Sequence, residues 1–416
     1  MKPKLLTTIR DYSTKLFVAD ALAGMTVAIV ALPLSIAIAI ASGAEPAAGL
    51  VTAIVAGFLI SALGGSRVQI GGPTGAFIVV VYGVIDRFGF DGLLLATLMA
   101  GGILVVAALA RAGNLIALIP EAVIEGFTIG IALIIATSQL KDLFGLSMPR
   151  LPADFVEAVP ALWNARHSAG AASAIVGIAS IAAIALFRRR AGSIVVIALA
   201  SAAVALASLP VDTIHSRFGS LPNGLPFPSL PPVSFARIVE LFPSALVIAF
   251  LAGVDSLLSA IVADRMVSGA HRSNAELLAQ GAANIASPLF GGLPATGAIA
   301  RTAANVRAGG RTPVAGIVHA LAILLFVVAA APLAGYLAMP ALAALLVVTA
   351  WSMSEPHRWP QHLRARPADR FLLLLTMTLT VVSDLTVAIA VGTAVGLAQR
   401  LVRRNAEPAE WTPPDR

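Results

Sequence analysis

From Thr312 to Ser354 the chain runs for 43 residues without an Asp, Glu, Lys or Arg. A helix crosses a bilayer in about 20 residues, so this run has to cross twice, with Pro332 or Pro340 near its turn. Shorter uncharged runs repeat the signal. Ala21–Ala44 has 24 residues, Pro46–Ser66 has 21, Gly92–Ala110 and Ala169–Phe187 have 19 each, Ala191–Val211 has 21 and Leu277–Ala300 has 24. With 58% hydrophobic and only 12% charged residues, the composition lies outside the range of water-soluble domains. The fold class expected is an all-α polytopic membrane protein embedded in a lipid bilayer.

A net charge of +7 raises the question of a nucleic-acid partner, and its distribution answers it. With the N-terminus placed inside, 22 Lys and Arg fall on cytoplasmic segments and six outside: Arg87, Lys141, Arg150, Arg166, Arg217 and Arg237. That asymmetry is the positive-inside rule, so the basic excess reports topology, and no nucleic acid is implied. Both termini are expected in the cytoplasm. The first residues carry Lys2, Lys4, Arg10 and Lys15 without a cleavable apolar core, so Ala21 onward reads as a membrane span and not as a signal peptide. No cysteine is present, which excludes disulfides and thiol chemistry.

Fourteen spans can be placed, seven at 20–209 and seven at 240–401, flanked by tails at 1–19 and 402–416 and separated by a proline-rich, irregular segment at 210–239. An odd number of spans per half gives halves of opposite orientation, a 7+7 inverted repeat. The third span of each half carries nearly the same phrase, GGPTGA at 71–76 and GGLPATGA at 291–298. Short hydrophobic segments interrupted by Gly and Pro at corresponding positions point to a substrate site. Pro73 and Pro294 cannot continue a helix from the N-terminal side but suit the entry to one. Each phrase is therefore expected to be a short strand followed by a half-helix that starts near mid-membrane. Inverted repeats would aim the two half-helix N-termini, each with unpaired N–H groups and a partial positive charge, at one another. Two facing positive ends make an anion site.

Several side chains bear on that site. Asp255 is the only charge within 241–263, and a carboxylate in such a span is a functional candidate by default. Ser259 lies one turn further along the same face, so the two offer hard oxygen ligands for Na⁺, or a carboxylate that carries a proton. Thr74 and Thr296 place hydroxyls at the half-helix mouths, where they can also cap. Gly75 and Gly297 leave room for a substrate against the backbone. Arg301 stands one turn into the second half-helix and can add positive field, or simply end the helix on its inner side. Ser35 follows Pro33, whose kink would open the first span toward the cavity. Glu45, Asp86, Asp91, Glu240, Asp264, Glu276 and Asp384 sit at expected span ends and read as peripheral, while Glu121 and Glu125 head the fifth span. Of six histidines only His319 lies well inside a span, where a structural role is expected, and none has metal-ligand spacing. Nothing resembles a catalytic triad, a phosphate-binding loop or paired catalytic carboxylates, so no enzyme and no cofactor is expected.

The stretches 24–50 (GMTVAIVALPLSIAIAIASGAEPAAGL), 66–77 (SRVQIGGPTGAF), 126–146, 290–316 (FGGLPATGAIARTAANVRAGGRTPVAG) and 383–397 together resemble the SulP family of anion permeases, over about 18–402. The resemblance implies a core domain carrying both half-helices, a gate domain, elevator-like movement between them and a homodimer in the bacterial inner membrane. It implies an anion held at Ser35, Thr74, Gly75, Ala300 and Arg301, and a coupling residue at Asp255. Sodium-coupled bicarbonate members use hydroxyls at positions matching Ser259 and Thr296, so bound Na⁺ is one implied ligand and H⁺ the other. Sulfate, bicarbonate or a C4-dicarboxylate is the substrate class implied. Family members usually carry a cytoplasmic STAS domain after the last span, whereas this chain stops at Arg416, so no STAS domain is expected within it. The competing readings are a nucleobase transporter of the same architecture, which would need acids at the site, and a membrane scaffold that transports nothing.

Overall fold

Hydrocarbon offers no hydrogen bonds to a backbone, so spanning segments satisfy their own as helices, and irregular backbone survives only inside protein. The computed structural model describes residues 2–9, 12–113, 120–148, 150–187, 192–267, 269–383 and 385–402. Its elements run α1 (Lys4–Thr8), α2 (Thr14–Ala41), α3 (Pro46–Leu63), β1 (Gly71–Gly72), α4 (Ile78–Leu109), α5 (Glu121–Ser138) and α6 (Leu140–Leu143). Then follow α7 (Phe155–Ala165), α8 (Ala171–Leu186), α9 (Gly192–Leu206), α10 (Ile214–Phe218), α11 (Phe235–Val267), α12 (Ser273–Leu289), β2 (Thr296–Gly297) and α13 (Ile299–Ala308). The chain continues through α14 (Val314–Ala334), α15 (Met339–Met353), α16 (Trp359–Arg364), α17 (Pro367–Val382) and α18 (Leu385–Val402).

Among the described residues six helical stretches are long and apolar enough to cross a membrane, or seven if the bent pair Phe155–Ser168 and Ala171–Leu186 is one span. The count is lower than fourteen because several expected spans form short helices of 10 to 17 residues: α8, α9, α12, α13, α15 and α17. Two others, expected at 68–85 and 91–110, share α4. At 32 residues it is interrupted only by Gly89 at φ 73°, ψ 177°. A continuous helix of that length would reach about 48 Å, well beyond a hydrocarbon core of about 30 Å. The break at Gly89 divides that length into two shorter helical pieces.

The segment 210–239 is more ordered than its prolines suggest. It contains α10, and its start is stitched to the α14–α15 turn by Ile214 N–H to Leu337 O (3.0 Å), His215 N–H to Gly335 O (2.9 Å) and Met339 N–H to Asp212 O (2.8 Å). α11 also begins five residues before the expected position 240. The triplet Arg188–Arg190, expected on the cytoplasmic side, Asp384 and nearly all of the C-terminal tail lie outside the described residues.

Packing divides the helices into two groups. α2, α3, α4, α11, α12, α13 and α14 pack mainly on one another, and α5, α6, α8, α9, α15, α17 and α18 mainly on one another. Small residues set the spacing in the first group, as is common where lipid supplies no hydrophobic drive between helices. Where α4 crosses α12, a Cβ on Gly101 would stand 2.8 Å from Gly281 O, and one on Gly281 would stand 2.9 Å from Gly101 O.

Two fully buried carboxylates tie the first group together. Asp20 accepts hydrogen bonds from Arg311 N–H (2.7 Å), Thr312 N–H (3.2 Å), the Thr312 hydroxyl (2.5 Å) and the Tyr12 hydroxyl (3.1 Å), which fastens α2 to the start of α14. Glu276 is not peripheral: it is 0% exposed. It accepts from Gly65 N–H (2.9 Å), Ser66 N–H (3.2 Å), the Ser256 hydroxyl (3.1 Å) and Gln280 Nε2 (3.0 Å). Its place at the head of a span hid this, because the turn after α3 folds back over that helix end. Glu276→Ala strips the acceptor from two buried backbone N–H groups, each worth about 1–3 kcal/mol when left unpaired. A marked fall in the melting temperature of the purified protein is the expected outcome, measured beside Glu276→Gln, and an unchanged temperature would refute the clamp.

Candidate functional site

β1 and β2 pair antiparallel, with Gly71 opposite Gly297 and Gly72 opposite Thr296, and Ala298 N–H extends the ladder to Ile70 O at 3.0 Å. The two repeated phrases, 220 residues apart, thus meet as one strand pair. Because the strands are antiparallel, the helices that follow them leave from opposite ends. A 3₁₀ turn at Gly75–Phe77 leads into α4 on one side, and α13 leaves on the other. Neither start has a side-chain cap: Thr74 and Ala298 occupy the cap positions in extended conformation with no capping hydrogen bond. Both therefore present first-turn N–H groups toward the strand pair.

Arg301, the third residue of α13, fills the space between those starts. It is 4% exposed. Its Nη2 donates to Ser35 Oγ (3.0 Å) and to Pro73 O (3.1 Å), and its Nη1 reaches Gly71 O at 3.4 Å. Nε has no acceptor, and no carboxylate pairs with the guanidinium among the described residues. The seat is tight, since a Cβ on Gly72 would stand 2.1 Å from Nη1. Ser35 lies two residues after Pro33 inside α2 and donates its own proton to Ala31 O at 2.7 Å, leaving its lone pairs for Arg301. Thr74 Oγ1 is buried without a partner among the described residues. A guanidinium, an unpaired hydroxyl and two uncapped helix starts lie at the strand crossing, and no carboxylate pairs with the guanidinium among the described residues. That combination favours a small anion.

The structure brings Ser35, Thr74, Gly75, Thr296, Gly297, Ala300 and Arg301 around the strand crossing. α11 lies against β2 and α13 and is laced to them. The Thr296 hydroxyl donates to Ala252 O (3.0 Å), Gln69 Nε2 donates to Ser256 O (3.2 Å) and Oγ (3.0 Å), and Ser259 Oγ lies 3.3 Å from Thr302 Oγ1. Positions 252, 255, 256 and 259 share one helical face, so Asp255 faces the same way as these contacts. Asp255 is partly exposed and forms no hydrogen bond or ion pair among the described residues. Its expected companion Ser259 is engaged with Thr302 instead.

Sequence reading missed Gln69, Thr302 and Asn305. Thr302 Oγ1 accepts from Ile70 N–H (3.2 Å), and Asn305 Nδ2 donates to Val68 O (2.8 Å), so α13 holds the strand before β1 by its polar face. For Thr302 and Asn305 the only signal was polarity at a three-residue interval along α13, and Gln69, in the segment before β1, carried none. His319 is fully buried on α14, and neither ring nitrogen has a partner among the described residues.

Fold and site together define a polytopic membrane protein in which two repeated phrases meet as a strand pair beside a buried arginine. The sequence matches the Sulfate permease family over residues 17–376. "Putative sulfate transporter YvdB" of Bacillus subtilis is 42% identical over 92% of this chain and 73% of that protein. "Bicarbonate transporter BicA" of Picosynechococcus sp. is 31% identical over 90% of this chain and 69% of that protein. The solved transmembrane domain of a cyanobacterium bicarbonate transporter BicA superposes with a TM-score of 0.81 at 27% identity, over 92% of this chain and 98% of that one. SLC26A9 shares the fold, with a TM-score of 0.87 at 19% identity over 96% of this chain and 68% of that one. The chain belongs to the sulfate permease family. Its relatives are transporters and not enzymes.

Proposed function

We propose that this protein is a secondary active transporter that carries a small oxyanion, sulfate, bicarbonate or a C4-dicarboxylate, across the bacterial inner membrane. The observation that carries this reading is Arg301, buried between two uncapped half-helix starts with no carboxylate to neutralise it. An arginine in that position keeps its charge and binds oxyanions in a planar, forked geometry. The relatives named for sulfate and bicarbonate transport agree with that substrate class.

Fourteen membrane segments in two inverted halves account for the meeting of the repeated phrases, once α4 is divided at Gly89 into two segments. The two packing groups suit an elevator-like mechanism, in which the group carrying β1, β2 and α13 slides against the other. The protein works as a homodimer with both termini in the cytoplasm, in line with the distribution of Lys and Arg.

Transport is coupled to Na⁺ or H⁺ through Asp255. A carboxylate close to the anion opposes its binding until a cation neutralises it, so each ligand raises the other's affinity by the same factor. Na⁺ would draw on the Asp255 carboxylate and the Thr296 hydroxyl, and Ser259 would join only by leaving Thr302.

The test is concentrative uptake of labelled sulfate and bicarbonate into proteoliposomes under an imposed Na⁺ or H⁺ gradient. Asp255→Asn is expected to eliminate accumulation above equilibrium, leaving either no transport or gradient-independent exchange. Accumulation equal to wild type would make Asp255 structural. If neither anion enters through the unmutated protein under any gradient, the transporter reading itself fails.

A further inference from the structure

Backbone bonds gather three separate segments at the turn that follows α3. Lys4 N–H donates to Gly64 O (2.9 Å), Arg272 N–H to Gly65 O (3.1 Å) and Arg272 Nη1 to Lys2 O (2.7 Å). The side chains of Lys4, Arg67 and Arg272 thereby meet, with the exposed Lys2 two residues from Lys4. Burial, and after it the guanidinium groups of Arg272 and Arg67, hold the Lys4 ammonium below its ordinary value, while Asp264 acts in the opposite sense.

Two carboxylates border this cluster, and both are engaged. Asp264 pairs with the His271 ring at 2.7 Å and accepts from His271 N–H at 2.8 Å. Glu276, fully buried, accepts from the Gly65 and Ser66 N–H groups. Four cations face these two acids, so positive charge remains in excess even with both acids counted. None of the four cations forms an ion pair among the described residues. Like charges held this close repel one another unless a counter-ion joins them. Apolar side chains lie beside them. Leu6 in α1 and Ile9 at its C-terminal cap are 60% and 52% exposed, and Leu63, the last residue of α3, is 38% exposed. α3 is long and apolar enough to cross a membrane, so its end marks the edge of the hydrocarbon. Lys4, bonded to the next residue, then lies at headgroup depth.

We propose that this face binds an acidic phospholipid, its phosphate held by Lys4, Arg67 and Arg272 and its acyl chains lying along Leu6, Ile9 and Leu63. A soluble anion would use the cations alone and leave the aliphatic border bare, whereas a lipid uses both. The site joins α1, α3 and the start of α12, so a bound lipid ties the helix group that carries the strand pair to one leaflet. The inference does not depend on which solute the protein carries. Each cation at the membrane surface raises affinity for an anionic lipid about fivefold.

The experiment counts lipid retained by the purified full chain in native mass spectrometry, after incubation with an equimolar mixture of phosphatidylglycerol and phosphatidylcholine. Phosphatidylglycerol should be retained in preference and should raise the melting temperature. Lys4→Gln combined with Arg67→Gln should weaken that retention about 25-fold. The melting temperature of this double variant in phosphatidylcholine alone should equal that of the unmutated protein, because neither side chain holds a hydrogen bond among the described residues. Arg364→Gln combined with Arg366→Gln removes two exposed charges expected on the same side of the membrane, and should leave retention unchanged. Excess inorganic phosphate should not displace the lipid. Equal retention of the two lipids, unchanged retention in the Lys4 and Arg67 variant, an equal loss in the Arg364 and Arg366 variant, or displacement by phosphate would overturn the lipid site.

Discussion

Arg301→Ala is expected to reduce the affinity for the transported anion by on the order of 100-fold. A hydrogen bond to a charged group contributes about 1.5–3 kcal/mol, and each 1.4 kcal/mol is a factor of ten. Arg301 is also the only cation at the strand crossing among the described residues. The protein should still fold, because the strand pair and the bonds from Thr302 and Asn305 do not depend on the guanidinium. Binding of labelled sulfate or bicarbonate to purified protein, together with its melting temperature, checks both halves of the expectation. Arg301→Lys should recover part of the loss, since an ammonium restores charge without the fork that spans Ser35 Oγ and Pro73 O. Wild-type affinity in the alanine variant, at matched stability, would reduce Arg301 to a helix-end residue and remove the basis for placing the anion there.

Gly297→Leu should abolish uptake altogether. A Cβ at this position would stand 1.5 Å from Gln69 Nε2 and 2.6 Å from its Cδ. Gln69 is 3% exposed and held by two hydrogen bonds to Ser256, so it cannot swing aside freely. The side chain would have to push β2 off β1 or break the link to α11, and either displaces the start of α13. Gly297→Ala meets the same clash and should already lower uptake strongly, which separates a packing effect from simple bulk. Retained uptake by the leucine variant would mean that the crossing does not have to stay closed for transport.

Much of this architecture could be read before any fold was known. The repeated phrases at 71–76 and 291–298, the carboxylate at Asp255 and the arginine at Arg301 stood out because each is costly in an apolar span unless the surroundings accommodate it. Element boundaries were less legible. α4 hides two expected crossings behind a single bend at Gly89, and the segment 210–239 gains α10 through backbone bonds to the α14–α15 turn. Glu276 was misjudged because its position in a run says nothing about which turn folds over it.

What the sequence determined by itself is the class of fold and the two places where its helices break. Uncharged runs of bilayer length leave a chain few alternatives, and glycine and proline mark where its helices must stop. Which residues meet was decided only by the tertiary structure. Arg301 bonds Ser35 across 266 positions, Glu276 bonds Gly65 across 211, and Ser259 turns to Thr302 and not to Asp255. The physical reason is that helices such as α2 and α14 are apolar on every side, toward lipid and core alike. Hydropathy then carries no record of which face is inward, and the partners are chosen by close packing of small residues and by the need to satisfy each buried polar group.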